Sequence, residues 1–210
     1  MPVAPRKRSY HHGNLPAALV DASLGLIGER GVQGFSVAEA ARRTGVSISA
    51  PYRHFADRDE LIAACAVTAC EELQGRFAAA IAAPESPADQ LAAASAAYVR
   101  FAAERRPMFD ALFGAGLDKA RYPQLAEAAA AVVETVFDVA RELAPGRDPD
   151  SAAILLEAMT GLAQGHATLL LDGRFGEPPD AVDLACERVA AATRALIRGR
   201  SVLFSGSVPG

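Results

Sequence analysis

Residues 36–58, SVAEAARRTGVSISAPYRHFADR, constrain this chain most, because they spell short helices around a tight turn. Ser36 and Glu39 stand at capping-box spacing, where each side chain can satisfy an orphan amide of the helix start. Val37, Ala40 and Ala41 fall at i, i+3 and i+4 and make one apolar stripe. Gly45 follows Arg42, Arg43 and Thr44 where a helix would close on a left-handed residue. Ser47 can cap a second short helix through Phe55, and Asp57 with Glu60 forms a capping box for a third. Such a unit fits a plain αα-hairpin, which many helical proteins contain, or a helix-turn-helix that reads DNA.

Side-chain chemistry favours the second. The leading turn of the second helix carries Ser47, Ile48, Ser49 and Ala50, small or uncharged residues that let a backbone approach a groove. Tyr52, Arg53 and His54 follow as donors for phosphate, while Arg42, Arg43 and Arg58 bracket the unit with positive charge. An arm with Arg6, Lys7, Arg8, His11 and His12 precedes it. The net charge of −4 hides an uneven split. Residues 1–60 hold 8 Lys/Arg against 6 Asp/Glu, and residues 61–210 hold 13 against 19. A mildly basic head on an acidic body suits a protein whose N-terminal part alone meets phosphate.

A chain of 210 residues, 51% of them apolar, has material for one or two small domains with a real core. Alanine dominates from residue 63 onward and β-branched runs are scarce, which predicts an all-α protein. The most apolar stretch, 152–171, is broken by Glu157, Gln164 and His166, so no membrane partner is expected. The Arg/Lys-rich start lacks the apolar centre of a signal peptide, and a cytoplasmic location is expected. Cys65, Cys70 and Cys186 have no CxxC spacing. Cys65 and Cys70, about 500° apart around a helix, do not share a face, so buried thiols are favoured over a redox sensor. The four histidines show neither H-x-x-x-H nor HExxH spacing, and no metal or cofactor is expected. With no G-x-S-x-G or P-loop pattern either, an enzyme is not expected.

Punctuation divides the rest into helices. The first, about 15–30, places Leu19, Ala22, Ser23, Leu26 and Ile27 on one face and ends near Gly31. Asp57 opens a long helix to about Ala83. Ser86-Pro87 starts another to about Glu104, Pro107 opens a shorter one to Gly114, and a further helix spans 123–143. Asp148-Pro149 repeats the cap-proline start for 149–171, and Asp180 opens a last helix to about Ile197. About nine helices result. The Ser/Gly-rich end, 200–210, is expected to be disordered.

From Tyr10 to Leu61 the run YHHGNL…GFSVAEAARRTGVS…PYRHFADRDEL resembles the N-terminal domain of TetR/AcrR-family transcriptional regulators. YHHGNL and APYRHFADR are similar to one subgroup, whose eighth-helix region often carries a Trp-x-x-x-His-Gly pattern. Here GLAQGHATLLLDGRF (161–175) keeps only Gln164-Gly165-His166, a degraded version, and Arg58 replaces the usual Lys. The resemblance implies a flexible basic arm (1–13), a helix-turn-helix DNA-binding domain (14–60) and an effector-binding and dimerisation domain (61–199).

It further implies a regulator of double-stranded operator DNA, a repressor released by a small apolar or aromatic effector. A ligand-independent regulator or an activator shares the fold, and a helical enzyme or adaptor is the remote alternative. Phosphate contacts are expected from Arg43, Tyr52, His54 and Arg58, with Ser36 at a helix start. Ser47, Ile48, Ser49, Ala50 and Arg53 are expected at base edges, Ile48 and Ala50 against thymine methyls. The arm either reaches a minor groove or is a solvated tail. A homodimer is expected through the last two long helices, at Leu155, Leu162, Leu169, Leu184, Val189 and Leu196, unless these are monomer core. Phe77, Phe101, Met108, Phe109, Phe113, Phe137, Met159 and His166 are candidates for an effector pocket, with plain core as the alternative for each.

Overall fold

The computed structural model describes residues 14–177 and 180–204; the basic arm 1–13 and residues 205–210 of the tail lie outside them. Helix α1 (Leu15–Arg30) starts at Asn14, whose side chain accepts the Ala17 amide at 3.3 Å, and closes at Gly31. Its buried stripe of Leu19, Leu26 and Ile27 includes Ser23, which satisfies itself on the Leu19 carbonyl at 2.6 Å. This stripe packs on Val37 and Ala40 of α2 (Val37–Thr44), on Phe35 and Phe55, and on Leu61 and Ile62 at the start of α3 (Arg58–Ala82). Each such apolar side chain taken out of water contributes about 1.5–3 kcal/mol before entropy is counted. The three elements therefore share one small core.

Local caps set the helix ends. Gly45 takes the left-handed conformation (φ 72°, ψ 25°), and the Val46 amide returns to the Ala41 carbonyl at 3.0 Å. The box expected from Ser36 and Glu39 does not form. Ser36 makes no side-chain cap, and the return bond is absent too, because the Glu39 carboxylate turns to Arg42 at 2.6 Å and Arg30 at 3.8 Å, ionic partners that outcompete a neutral amide. The second box forms with its return bond one residue upstream of the cap. Asp57 Oδ1 accepts the Glu60 amide at 2.8 Å, and the Glu60 carboxylate accepts the Ala56 amide.

The helix expected from Ser47 through Phe55 is instead a turn at Ser47–Ala50 followed by one 3₁₀ turn, Pro51–Arg53. Pro51 has no N–H to give the Ser47 carbonyl, which takes the Ala50 amide at 3.0 Å. The Phe55 amide then bonds the Pro51 carbonyl at 3.0 Å, and buried Pro51 and Phe55 pin the segment to the core.

Beyond the head the chain builds a body of α4 (Pro87–Glu104), α5 (Arg106–Phe109), α6 (Pro123–Leu143), α7 (Pro149–Leu171), α8 (Asp180–Arg198) and a last turn, α9 (Ser201–Phe204). No strand occurs among the described residues. Both cap-proline starts are realised. Ser86 Oγ accepts the Asp89 amide at 3.1 Å, and Asp148 accepts the Ser151 amide at 2.8 Å. Helix α4 lies at the centre, against α3, α6, α7 and α8. Thr193 of α8 donates to Ser95 of α4 at 3.0 Å inside that contact. By length and composition α7 could cross a membrane, with a mean hydropathy of 1.2, yet Ala152, Leu155 and Leu156 are buried in the body.

One segment joins the two parts. Helix α5 runs on as a π-helical turn, Asp110–Gly114. Ala111 of that turn is buried in the head core, with Met108, Ala115 and Leu117 around it, while Leu112 packs into the body.

Candidate functional site

The turn after α2 presents an open face. Ile48 is 55% and Tyr52 52% exposed, unusual for large apolar side chains. Ser47, Ser49, Arg53 and His54 are exposed beside them, and Ala50 is half-buried. The Ser47 and Ser49 hydroxyls lie 3.2 Å apart. Among the described residues no carboxylate pairs with Arg53 or His54. Small hydroxyls and an exposed isoleucine around a free cation match what major-groove edges and phosphates offer.

Two of the expected phosphate ligands are engaged inside the head. Arg43 of α2 pairs with Glu29 of α1, which lowers the Glu29 pKa and raises that of Arg43. Arg58 turns inward. It donates to the Val32 carbonyl at 2.5 Å and the Phe35 carbonyl at 3.4 Å, meets Asp59 at 3.2 Å and lies 5.7 Å from the Phe35 ring centre. The α1–α2 loop leaves those carbonyls without helical partners, and the guanidinium fork spans both. Arg58 is thus a strut of the loop. Ser36 stays exposed at the start of α2.

The body holds a cavity of about 190 Å³ that opens to solvent on one side. Cys70, Leu73 and Phe77 of α3 form one wall, and Leu91, Ser95 and Tyr98 of α4 another. Helix α6 supplies Ala129, Val132, Val133 and Val136, and α7 supplies Leu156, Met159, Thr160 and Ala163. The π turn contributes Leu112 and Phe113. Phe113 and Val133, 40% and 51% exposed, stand at the mouth. Tyr98 lies edge-on to Phe109 and Phe113, with ring centres 6.0 and 5.9 Å away. Burial pushes the Tyr98 hydroxyl pKa well above its usual value, so the phenol is neutral.

Of the pocket residues expected from sequence, Phe77, Phe113 and Met159 line this cavity. Phe101 is fully buried behind it, Phe109 backs Phe113 at 4.9 Å, and Met108 packs between head and body. Phe137 joins the α6–α7 core, and His166 bonds the Leu162 carbonyl at 3.0 Å and stacks on Phe175. None of these five is in the wall. The lining residues, expected and additional together, recur at three- and four-residue steps (70, 73, 77; 91, 95, 98; 156, 159, 163), a spacing that ordinary core shares.

The outer face of α7 and α8 divides likewise. Leu155 and Val189 are fully buried within the monomer, so they are core and not available to a second copy. Their positions face α4 and leave no surface. Leu162, Leu184 and Leu196 are half-buried, whereas Ile154 and Leu169 are 45% and 43% exposed. Gly161 and Gly165 lie between those two, with open space where a Cβ would stand. Among the described residues no three metal-ligating side chains come together.

A small DNA-reading head whose core is completed by a segment of a cavity-bearing helical body defines a one-chain transcriptional regulator. Residues 19–65 match the family of bacterial regulatory proteins of the tetR family, and residues 91–193 match a tetracyclin repressor-like C-terminal domain. No curated protein matches the chain significantly. Among solved structures, a protein of unknown function from Rhodococcus sp. RHA1 is 29% identical, with a TM-score of 0.73 over 92% of this chain and 98% of that one. A transcriptional regulator from the same organism is 26% identical, with a TM-score of 0.60 over 85% and 95%. The TetR family transcriptional regulator PfmR from Thermus thermophilus shares the fold at 19% identity, with a TM-score of 0.59 over 85% and 96%. The chain belongs to the TetR family and is a DNA-binding transcriptional regulator, not an enzyme.

Proposed function

We propose that the protein is a cytoplasmic, homodimeric repressor that leaves its operator when a small apolar or aromatic molecule enters the body. The division is a basic arm (1–13), a DNA-binding domain (14–60) and an effector-binding and dimerisation domain (61–199). The observation that carries this reading is the segment at 108–117. Ala111 is a buried member of the head core, and its neighbours Leu112 and Phe113 form cavity wall. A ligand that displaces Phe113 therefore acts on the packing beneath α1. Helix α3 is a second link, running from the head core at Leu61 to the cavity at Phe77.

On DNA, Ser47, Ile48, Ser49 and Ala50 meet base edges; Arg53, expected at a base edge from sequence, is exposed and is assigned to the backbone with Tyr52 and His54, which set the register. Two heads reading a two-fold site must stand about 34–36 Å apart, which calls for a second copy. The exposed Ile154–Leu169 side of α7, with its two open glycines, supports pairing there. A ligand favouring a different head spacing lowers DNA affinity by linkage. The YHHGNL start and the degraded Gln164-Gly165-His166 motif support the subgroup suggested by the sequence.

The test is to enrich bound fragments from random DNA, confirm a palindromic site, and screen apolar molecules for release. Enrichment without release by any cavity-sized compound would remove the effector from this reading. Failure to enrich any sequence would remove the operator.

A further inference from the structure

The cavity wall has a hydrogen-bonding polarity. All its side chains are uncharged, and its hydroxyls already spend their hydrogens on the protein. Thr160 donates to the Leu156 carbonyl at 2.8 Å, and Ser95 donates to the Leu91 carbonyl at 3.0 Å. Tyr98 donates to Gln164 Oε1. Ser95 is further occupied by the Thr193 hydroxyl at 3.0 Å, and Cys70 has an interaction of its own. A hydroxyl that donates elsewhere keeps lone pairs. Tyr98, inside, and Thr160, at the rim, thus offer acceptors to an occupant, and the side chains of the wall keep no donor for it.

From this we infer the ligand class: an uncharged single-ring molecule bearing one hydrogen-bond donor, a phenol or an aryl N–H compound. This rests on the effector reading above and narrows it. An apolar cavity of about 150 Å³ accepts benzene, so about 190 Å³ suits one ring with a short substituent. A carboxylate finds no cation and no donor among the lining side chains, and loses its hydration uncompensated. A ketone or ester leaves its oxygen unmatched against Tyr98 and Thr160 for the same reason.

Isothermal titration of the full-length protein without DNA tests this with propylbenzene, 4-propylphenol and 4-propylbenzoate at neutral pH. The expected order is 4-propylphenol above propylbenzene by about fivefold, the worth of one hydrogen bond. 4-Propylbenzoate should bind about a hundredfold more weakly than the phenol. The single O–H of the phenol meets one acceptor, so whichever of Tyr98→Phe and Thr160→Val removes it should shrink the phenol preference and leave propylbenzene unchanged. Should Tyr98→Phe fail to fold, the three-probe order decides. The inference is overturned if the benzoate matches the phenol, if neither variant alters the preference, or if no probe binds. Operator release is assayed separately. The expected order without release retains this ligand class and removes the effector role, whereas release by anionic compounds alone does the reverse.

Discussion

Gly28 of α1 faces Pro107 of α5 so closely that a methyl group on the glycine would stand 2.9 Å from the proline Cγ. The proline ring cannot rotate away, so this contact sets how near the reading head lies to the body. Gly28→Ala should cost about 1–3 kcal/mol of stability, as overpacking generally does. It should also tilt the head and weaken operator binding. Denaturant titration and fluorescence anisotropy check the two effects; an unaltered operator affinity would show that the head angle is set elsewhere.

Arg58 and Arg53 should separate structure from binding. Loss of the Arg58 bonds to Val32 and Phe35 in Arg58→Ala should destabilise the fold by about 1–3 kcal/mol. Arg53→Ala should leave the melting temperature unchanged and reduce the slope of log affinity against log salt by about one. A reversed pattern would return Arg58 to the phosphate contacts.

These two residues also show what the sequence made legible. Caps, prolines and the Gly45 turn act between near neighbours, so α1, α2, α4 and α7 could be bounded from residues alone. Arg58 could not be placed, because its partners are loop carbonyls 23 and 26 residues away that meet the guanidinium only after folding. The return half of the Ser36–Glu39 box failed for a related reason, since Arg30 from another helix competes for the Glu39 carboxylate. In the body, cavity wall and solid core share one helical spacing. Phe77 and Phe101 look alike in sequence, and only the packing of five elements separates lining from filling.

Acid should loosen the body through Asp89. The Ser86 hydroxyl, and then Arg194 of α8, hold its carboxyl below the ordinary range. A carboxylate lowered on folding stabilises fully above its unfolded pKa and loses that contribution as pH falls through the folded value. Thermal stability should therefore stay level from neutrality to about pH 5 and decline below about pH 4. Asp89→Asn should lower the plateau and flatten that decline, which melting curves across pH will show.

On the outer face, Leu169→Glu should shift sedimentation towards the monomer while leaving helicity intact. Leu155→Ala should cost about 2–5 kcal/mol of stability instead, since the side chain is fully buried. If Leu169→Glu sediments like the parent protein, the copies pair through another surface.

Cys65 should resist alkylation. Burial pushes its thiol up to about 12, which leaves almost no thiolate at neutral pH. Mass spectrometry after iodoacetamide treatment should show it unlabelled until denaturant is added.

The π turn at Asp110–Gly114 puts a wider winding between Ala111, in the core of the head, and Phe113, at the cavity mouth. Its consequence is a constraint on length more than on side-chain identity. An α-helical turn advances each residue by about 100°, whereas the extra residue of a π turn resets the phase between these two faces. Deleting one residue between 106 and 110 would turn Ala111 and Phe113 together by about 100°, off the head core and off the cavity wall, however conservative the remaining sequence. Insertions after Leu117, past the last of these residues packed on the head core, carry no such penalty. Indel scanning across 106–121 should thus trace an edge near Leu117, a frame boundary set by the register of one segment.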